Sequence, residues 1–340
     1  MSTLVFHKLL AIFCAVALGW IAGRRRWLGP APEASKSGGG PARLLGDAAF
    51  MIFVPALLFR TTARLDLPHM PWAVVAAFFV PVLGVLALVY LGGRWHRAGS
   101  PAADLDESVR MASEPATRAI AVVFGNSVQI GIPMAAALFG EAGLGVHIPL
   151  VSLHALVLLS VLTALIELDT ARARALHDGG TGLWRTLRTT ARNTVIHPVV
   201  LPVLAGLAWN VSGLPLPGPL DEMLQLLGTA VAPMCLVVIG LSLATTSIEG
   251  AVAPAVLISV LKLLVVPATV LGVAHWGFGL AGTPLHVVVM LAAMPTGSNA
   301  LIFAQRYRAQ EAEATTAIVL STFAFVFTAP MWLAVLAWVG

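Results

Sequence analysis

The stretch FGNSVQIGIPMA, residues 124–135, interrupts one hydrophobic segment, and the stretch AAMPTGSNALIF, residues 292–303, interrupts another in the second half of the chain. Each stretch contains a proline, at least one glycine and an asparagine. Proline lacks the backbone N–H and clashes with the preceding turn, so a helix kinks or breaks there. Non-helical backbone at membrane depth survives only where protein or a cavity covers it, and a matched pair of breaks marks the substrate site of many transporters. The two stretches therefore predict a secondary transporter.

The composition is that of a membrane protein. Hydrophobic residues make up 58% of the 340 positions, the mean hydropathy is +0.90, and 11% of the residues are charged. A soluble domain has about 25% charged residues. Apolar runs long enough to cross the hydrocarbon core as helices recur along the chain, whereas a barrel would show short alternating segments. We therefore predict an all-α polytopic protein in the lipid bilayer, with no role in binding nucleic acid.

Ten apolar segments predict ten transmembrane helices. They cover residues 4–23, 44–62, 71–92, 116–140, 146–167, 194–211, 219–246, 252–276, 284–306 and 312–339. Because a charged loop divides them into five and five, the two halves must lie inverted relative to each other, which is the 5+5 inverted repeat of many transporters. The predicted units are a first repeat (1–168), a cytoplasmic linker (169–193) and a second repeat (194–340).

Basic residues predict the orientation. The connections after spans one, three, five, seven and nine hold sixteen of the twenty Lys and Arg residues, and the opposite side holds three. Cytoplasmic loops collect Lys and Arg. We therefore predict a multi-pass protein of the cell inner membrane with both termini outside the cytoplasm.

The two breaks supply polar groups suited to an anion. The N-terminus of a half-helix carries about half a positive charge and free N–H groups. Amides and hydroxyls in the breaks could bind a carboxylate, or could satisfy the carbonyl groups that the prolines release. For the asparagines, the alternative is a role in helix packing. The expected substrate-binding residues are Asn126, Gln129, Ile132, Pro133, Pro295, Thr296, Ser298 and Asn299.

Three further side chains are candidates for charge balance or ion coupling. Lys262 lies well inside the eighth span, where a charge is costly and usually functional. It could balance an anionic substrate or the negative helix ends at the crossing, or it could snorkel to the cytoplasmic surface. His154 and His197 could couple protons, although a lone histidine among apolar residues is more often a packing group. No Asp or Glu lies at a predicted span centre, which favours an anionic or polar substrate over a metal cation.

Motifs of enzymes and ATP-driven pumps are missing from the sequence. It contains neither an HExxH zinc motif nor a Walker phosphate loop, and no paired Asp-rich site. We therefore predict no enzymatic activity, no cofactor and no bound metal. An intramembrane enzyme or a receptor that binds a ligand without moving it stays open as the alternative from another class.

The chain resembles the auxin efflux carrier family in three blocks: Gly125–Pro133, Met294–Ala304 and Leu220–Ala244. The resemblance implies ten helices in an inverted repeat, with the fourth and ninth broken and crossing at the substrate site. It also implies an elevator-type movement and a homodimer formed through the scaffold. One departure is His197-Pro198, where the family pattern has an Asn-Pro pair.

The substrate that this resemblance implies is a small organic anion. Bacterial members are often described as permeases for malonate, malate or other carboxylates, and plant members export auxin. A coupled proton or sodium ion is a further expected partner. The alternative within transport is a sodium-coupled carrier resembling the bile-acid family, which has a related layout.

Overall fold

The computed structural model describes residues 3–29, 40–65, 68, 70–97, 104–177, 198–245 and 251–339, and all regular secondary structure within these ranges is helical. The helices are α1 (Thr3–Arg24), α2 (Pro41–Ala63), α3 (Trp72–Arg97), α4 (Leu105–Val123), α5 (Ile132–His177), α6 (Val200–Val211), α7 (Gly218–Thr245), α8 (Val252–Gly277), α9 (Gly282–Ala292), α10 (Asn299–Tyr307) and α11 (Glu311–Val339). Six described stretches are long and apolar enough to cross a membrane, in α2, α3, α5, α7, α8 and α11. The prediction of an all-α membrane protein is therefore confirmed.

The helices overlap the ten predicted apolar segments, with differences at their ends. The largest difference concerns the fourth segment, which was expected from residue 116, whereas α4 begins at Leu105. Its first turn carries Asp106 and Glu107, which lower the local hydropathy but suit the positive end of a helix. The Asp104 side chain also accepts a hydrogen bond from the Glu107 N–H at 2.8 Å and caps the helix.

Two further points concern the middle of the chain. Helix α5 changes direction at Gly140, which has φ +60° and ψ −151°, and then continues to His177. The first residues of the predicted linker are therefore helical. The coupling candidate His197 lies outside the described residues.

The helices sort into two packed groups in the described part of the chain. The four-helix group contains α1, α2, α6 and α7, in which α1 packs along α7 and α2 contacts both α6 and α7. The seven-helix group contains α3, α4, α5 and α8–α11. Contacts within each group are more extensive than contacts between the groups.

Glycines allow the backbones of α1 and α7 to touch. A Cβ on Gly240 would lie 2.0 Å from the carbonyl oxygen of Val16 and 2.6 Å from the backbone nitrogen of Trp20. On α1, a Cβ on Gly19 would lie 2.3 Å from the carbonyl oxygen of Val237. Close approach through small residues is a common way for helices to associate in membranes, since hydrophobic burial gives little drive there.

A proline in α8 is compensated by a tryptophan in α11. Pro267 has no N–H, so it cannot donate to the carbonyl group of Leu263 four residues earlier. The indole N–H of the buried Trp332 donates to that carbonyl group at 2.8 Å. This bond joins α11 to α8 inside the seven-helix group.

Ion pairs lie at both ends of the molecule. Four of them join arginines to acidic residues far apart in the chain: Arg43–Glu311, Arg94–Asp169, Arg97–Glu114 and Arg118–Glu313. The pair Arg43–Glu311, at 2.9 Å, connects α2 with α11 and so links the two helix groups. At the other end of α2, Arg60 contacts Asp221 at 2.8 Å within the four-helix group.

Candidate functional site

The two interrupted stretches of the sequence meet in the structure. The N–H of Asn126 donates to the carbonyl oxygen of Pro295 at 2.8 Å, and the N–H of Gly297 donates to the carbonyl oxygen of Phe124 at 2.8 Å. Gly125 and Thr296 thereby form an isolated antiparallel bridge. We call residues 124–131 together with residues 293–298 the crossing.

Glycines allow the two backbones of the crossing to approach each other. A Cβ on Gly297 would lie 2.9 Å from a ring carbon of Phe124 and 3.0 Å from the carbonyl oxygen of Gly125, so a side chain there would disturb the crossing. A Cβ on Gly125 would lie 3.2 Å from the Cβ of Met294, a tight contact that a small shift of Met294 would relieve.

The first break lies before Pro133 rather than at it. Helix α4 ends at Val123, after which Phe124 is extended with ψ 106° and Asn126 has ψ 63°. Pro133 is the second residue of α5 and follows the helical turn Ser127–Gly131, so the ladder has already begun there and the carbonyl group of Gln129 lacks the N–H four residues later. Pro295 lies in the non-helical segment between α9 and α10, where its carbonyl group joins the crossing.

Thr296 stabilises the end of α4. Its hydroxyl donates to the carbonyl oxygen of Ala121 at 2.9 Å, and its N–H donates to Oγ of Ser321 at 3.1 Å. The residue is fully buried. The Thr296 hydroxyl, predicted as part of the substrate site, satisfies a carbonyl group released by the break.

Lys262 performs the same task at the end of α9. Its Nζ donates to the carbonyl oxygen of Ala292 at 2.6 Å, and the side chain is 1% exposed. The same Nζ would lie 3.5 Å from a Cβ on Gly125, just beyond the end of α4. Each helix C-terminus carries about half a negative charge. The ammonium group therefore lies at two negative helix ends, and this buried position does not fit a side chain that snorkels to the surface.

His154 packs behind the crossing. Its ring centroid lies 4.5 Å from that of Phe124 and 6.0 Å from that of Phe78. The side chain is 1% exposed, and its Nδ1 has no hydrogen-bond partner among the described residues. The coupling candidates His154 and Lys262 thus both adjoin the first break.

A narrow pocket lies beside the crossing. Asn126 and Ser298 contribute polar groups from the two breaks. The remaining lining comes from α1, α7 and α11: Val16, Leu236, Ile239, Ile318, Val319 and Thr322. The pocket therefore lies between the two helix groups and combines a polar side with an apolar side.

Three other predicted site residues lie at or just before the starts of α5 and α10. Ile132 and Asn299 are half-buried first residues of α5 and α10, and Gln129 lies in the turn Ser127–Gly131 that leads into α5. The helices α5 and α10 both begin beyond the breaks, close in sequence to the pocket residues Asn126 and Ser298.

Comparison with known proteins identifies the family. A family profile described as "Membrane transport protein" matches residues 4–333. The chain belongs to this family, that of the auxin efflux carriers. Its protein relatives include an "Uncharacterized transporter" of Methanothermobacter thermautotrophicus, 26% identical over 97% of this chain and 98% of the relative.

Two other relatives cover less of the chain. A "Putative malonate transporter" of Rhizobium meliloti is 31% identical over 41% of this chain and 43% of the relative. "Auxin efflux carrier component 8" of Arabidopsis thaliana is 24% identical over 54% of this chain and 61% of the relative. The chain is therefore a membrane transporter and not an enzyme, as predicted.

The sequence did not indicate which residues of this membrane transport protein line the pocket opposite the crossing. Val16, Leu236 and Ile239 are ordinary apolar residues of predicted spans, and nothing in their local sequence distinguishes them from lipid-facing neighbours. The pair Ser321-Thr322 carried a usable signal, because two adjacent hydroxyl groups lie inside an apolar span. Ser321 contacts the crossing, and Thr322 lines the pocket.

Proposed function

We propose that this protein is a secondary transporter that moves a small organic anion by alternating access, and that the anion binds in the pocket beside the crossing. The observation that carries the proposal is that C-terminal and N-terminal helix ends lie at different places in the crossing. The C-terminal ends of α4 and α9 lie against Lys262, whereas the N-terminal ends of α5 and α10 follow Asn126 and Ser298 in the pocket.

The electrostatic argument follows from this arrangement. Two helix C-termini together carry about one negative charge, which the Lys262 ammonium offsets. The two N-termini together carry about one positive charge. A carboxylate in the pocket would offset that charge, and broken helices in other transporters direct their N-termini at anionic substrate groups in this way.

The pocket also restricts the rest of the substrate. Its polar side is formed by Asn126, Ser298 and Thr322, and its other side is aliphatic. A carboxylate on the polar side would place the body of the substrate against Leu236 and Ile239. We therefore propose a compact monoanion or dianion, with malonate and indole-3-acetate as the first substrates to test.

The transport movement that we propose is of the elevator type. The seven-helix group, which contains the crossing, would slide against the four-helix group, which would form a homodimer scaffold. The pocket between the two groups supports this division. The proposal includes ten spans in a 5+5 inverted repeat, in the cell inner membrane, with both termini outside the cytoplasm.

The first experiment is thermal stabilisation of the purified protein by small carboxylates, with and without sodium and across pH. A ligand that binds only the folded protein raises its stability by mass action. Malonate or indole-3-acetate should stabilise the protein, and dependence on sodium or pH identifies the coupled ion. If no carboxylate stabilises the protein, the anion proposal is wrong.

Variants then test the pocket in liposomes. Asn126→Ala and Asn299→Ala should abolish flux of the stabilising ligand while the protein still folds and inserts. Gln225→Ala removes an exposed amide that contacts Arg60 at the far end of α2, and it should transport normally. Ligand binding without flux in the parent protein would indicate a receptor instead.

A further inference from the structure

A histidine outside the predicted site contacts the first break. The ring of His147, on α5 beyond Gly140, places Nε2 3.0 Å from the carbonyl oxygen of Ser127. His147 is 1% exposed. Since a carbonyl oxygen only accepts, Nε2 must carry the proton in this contact.

The backbone ladder explains why Ser127 needs this donor. The N–H of Gly131 donates to Asn126, five residues earlier, and the N–H of Ile132 donates to Val128, four residues earlier. Because the spacing changes from five residues to four, neither of these two N–H groups donates to the carbonyl group of Ser127 between them. An unsatisfied buried carbonyl group is costly, and His147 removes that cost.

The neighbourhood of the ring is built for this contact. A Cβ on Gly131 would lie 2.8 Å from Nε2 of His147, so only glycine admits the ring. The cavity around the ring is otherwise lined by apolar side chains, among them Met134, Phe139 and Met290. Without the ring, these neighbours offer no donor to Ser127.

We infer that His147 is a positioning residue, which fixes the turn Ser127–Gly131 and thereby holds Asn126 in the pocket. The inference rests on the proposed function for its effect on transport. Its effect on the turn is independent of any substrate. His147 is not among the residues that line the pocket, so it acts on Asn126 through the turn.

Three variants test the inference. His147→Met keeps the bulk and removes the donor, whereas His147→Gln places an amide N–H near the position of Nε2. Gly131→Ala leaves the histidine but forces the ring away. The matched control is His275→Met, because His275 also contacts a backbone carbonyl, that of Leu280 at 3.1 Å, in the turn after α8.

The first readout is amide hydrogen exchange of residues 124–139 in the protein without ligand. We expect His147→Met and Gly131→Ala to raise exchange there, and His147→Gln to restore protection. Combining the first two changes should add little, since both remove one contact. Unchanged exchange in both variants would overturn the inference.

The second readout separates KM from the maximal rate, with radiolabelled malonate and indole-3-acetate in liposomes. His147→Met should raise KM about 5- to 30-fold, the factor that corresponds to about 1–2 kcal/mol, and His147→Gln should lie close to the parent protein. Raised exchange with an unchanged KM also overturns the inference. If the parent protein moves neither compound, the carboxylate that stabilises it in the thermal assay replaces them; if no carboxylate stabilises it, the proposed function fails, and the exchange experiment alone decides the role of His147.

Discussion

Replacement of Trp332 by Phe should destabilise the protein by a calculable amount. The variant keeps an aromatic ring in the core but removes the N–H that donates to Leu263 at 2.8 Å. Because Pro267 cannot donate to that carbonyl group, the group is left buried without a partner, which costs about 1–3 kcal/mol. The smaller ring adds a cavity cost of its own.

A second substitution separates the two costs. Pro267→Ala restores a main-chain N–H four residues after Leu263, so the indole is no longer needed there. In the Pro267→Ala protein, Trp332→Phe should therefore reduce the free energy of unfolding only through the cavity, because the carbonyl group of Leu263 keeps a donor. The difference between the two backgrounds should therefore equal the hydrogen-bond cost, about 1–3 kcal/mol.

The assay is reversible unfolding in mixed detergent micelles, followed by far-ultraviolet circular dichroism. All four proteins are compared: the parent, each single variant and the double variant. Equal costs of Trp332→Phe in both backgrounds would refute the reasoning, because the indole would then not be replacing the N–H that Pro267 lacks.

Three further predictions concern the crossing and the helix groups. Lys262→Met should lower the affinity for a stabilising carboxylate about 5- to 150-fold, the usual span of a coupling between sites. Unchanged affinity in a ligand titration would show that the ammonium group does not contribute to binding. Gly240→Ala should prevent stable folding because its Cβ has no room against α1, whereas Gly84→Ala, with nothing within 4 Å, should melt like the parent in a thermal scan. Cysteines at Arg43 and Glu311, joined by a flexible bis-maleimide, should stop flux if the two helix groups slide past each other, and continued flux in liposomes would contradict the elevator movement.

The sequence allowed the breaks and the helices to be predicted, because both follow from local chemistry. A proline, glycine and asparagine inside an apolar run indicate interruption wherever the chain folds. The start of α4 was missed because Asp106 and Glu107 lower hydropathy while stabilising the helix. The position of the first break was displaced for a similar reason: Pro133 reads as a helix breaker but begins the next helix.

The pairing of residues far apart in the chain could not be predicted in detail. Lys262 was recognised as an anomaly, yet only the fold shows that its ammonium lies between the ends of α4 and α9. Thr296 was predicted to bind the substrate, and only the fold shows that it also forms hydrogen bonds to α4 and α11. His147 gave no signal at all, since its partner is a carbonyl group that the sequence does not distinguish from any other.

The crossing has a consequence for how such proteins diversify. Its two reciprocal bonds, Asn126 to Pro295 and Gly297 to Phe124, join main-chain atoms and depend on no side-chain functional group. Side chains around the pocket can consequently change by mutation while the frame that holds them survives. Under the proposed function, substitution of a few aliphatic residues on α1, α7 and α11 would change the substrate while these main-chain bonds stay in place.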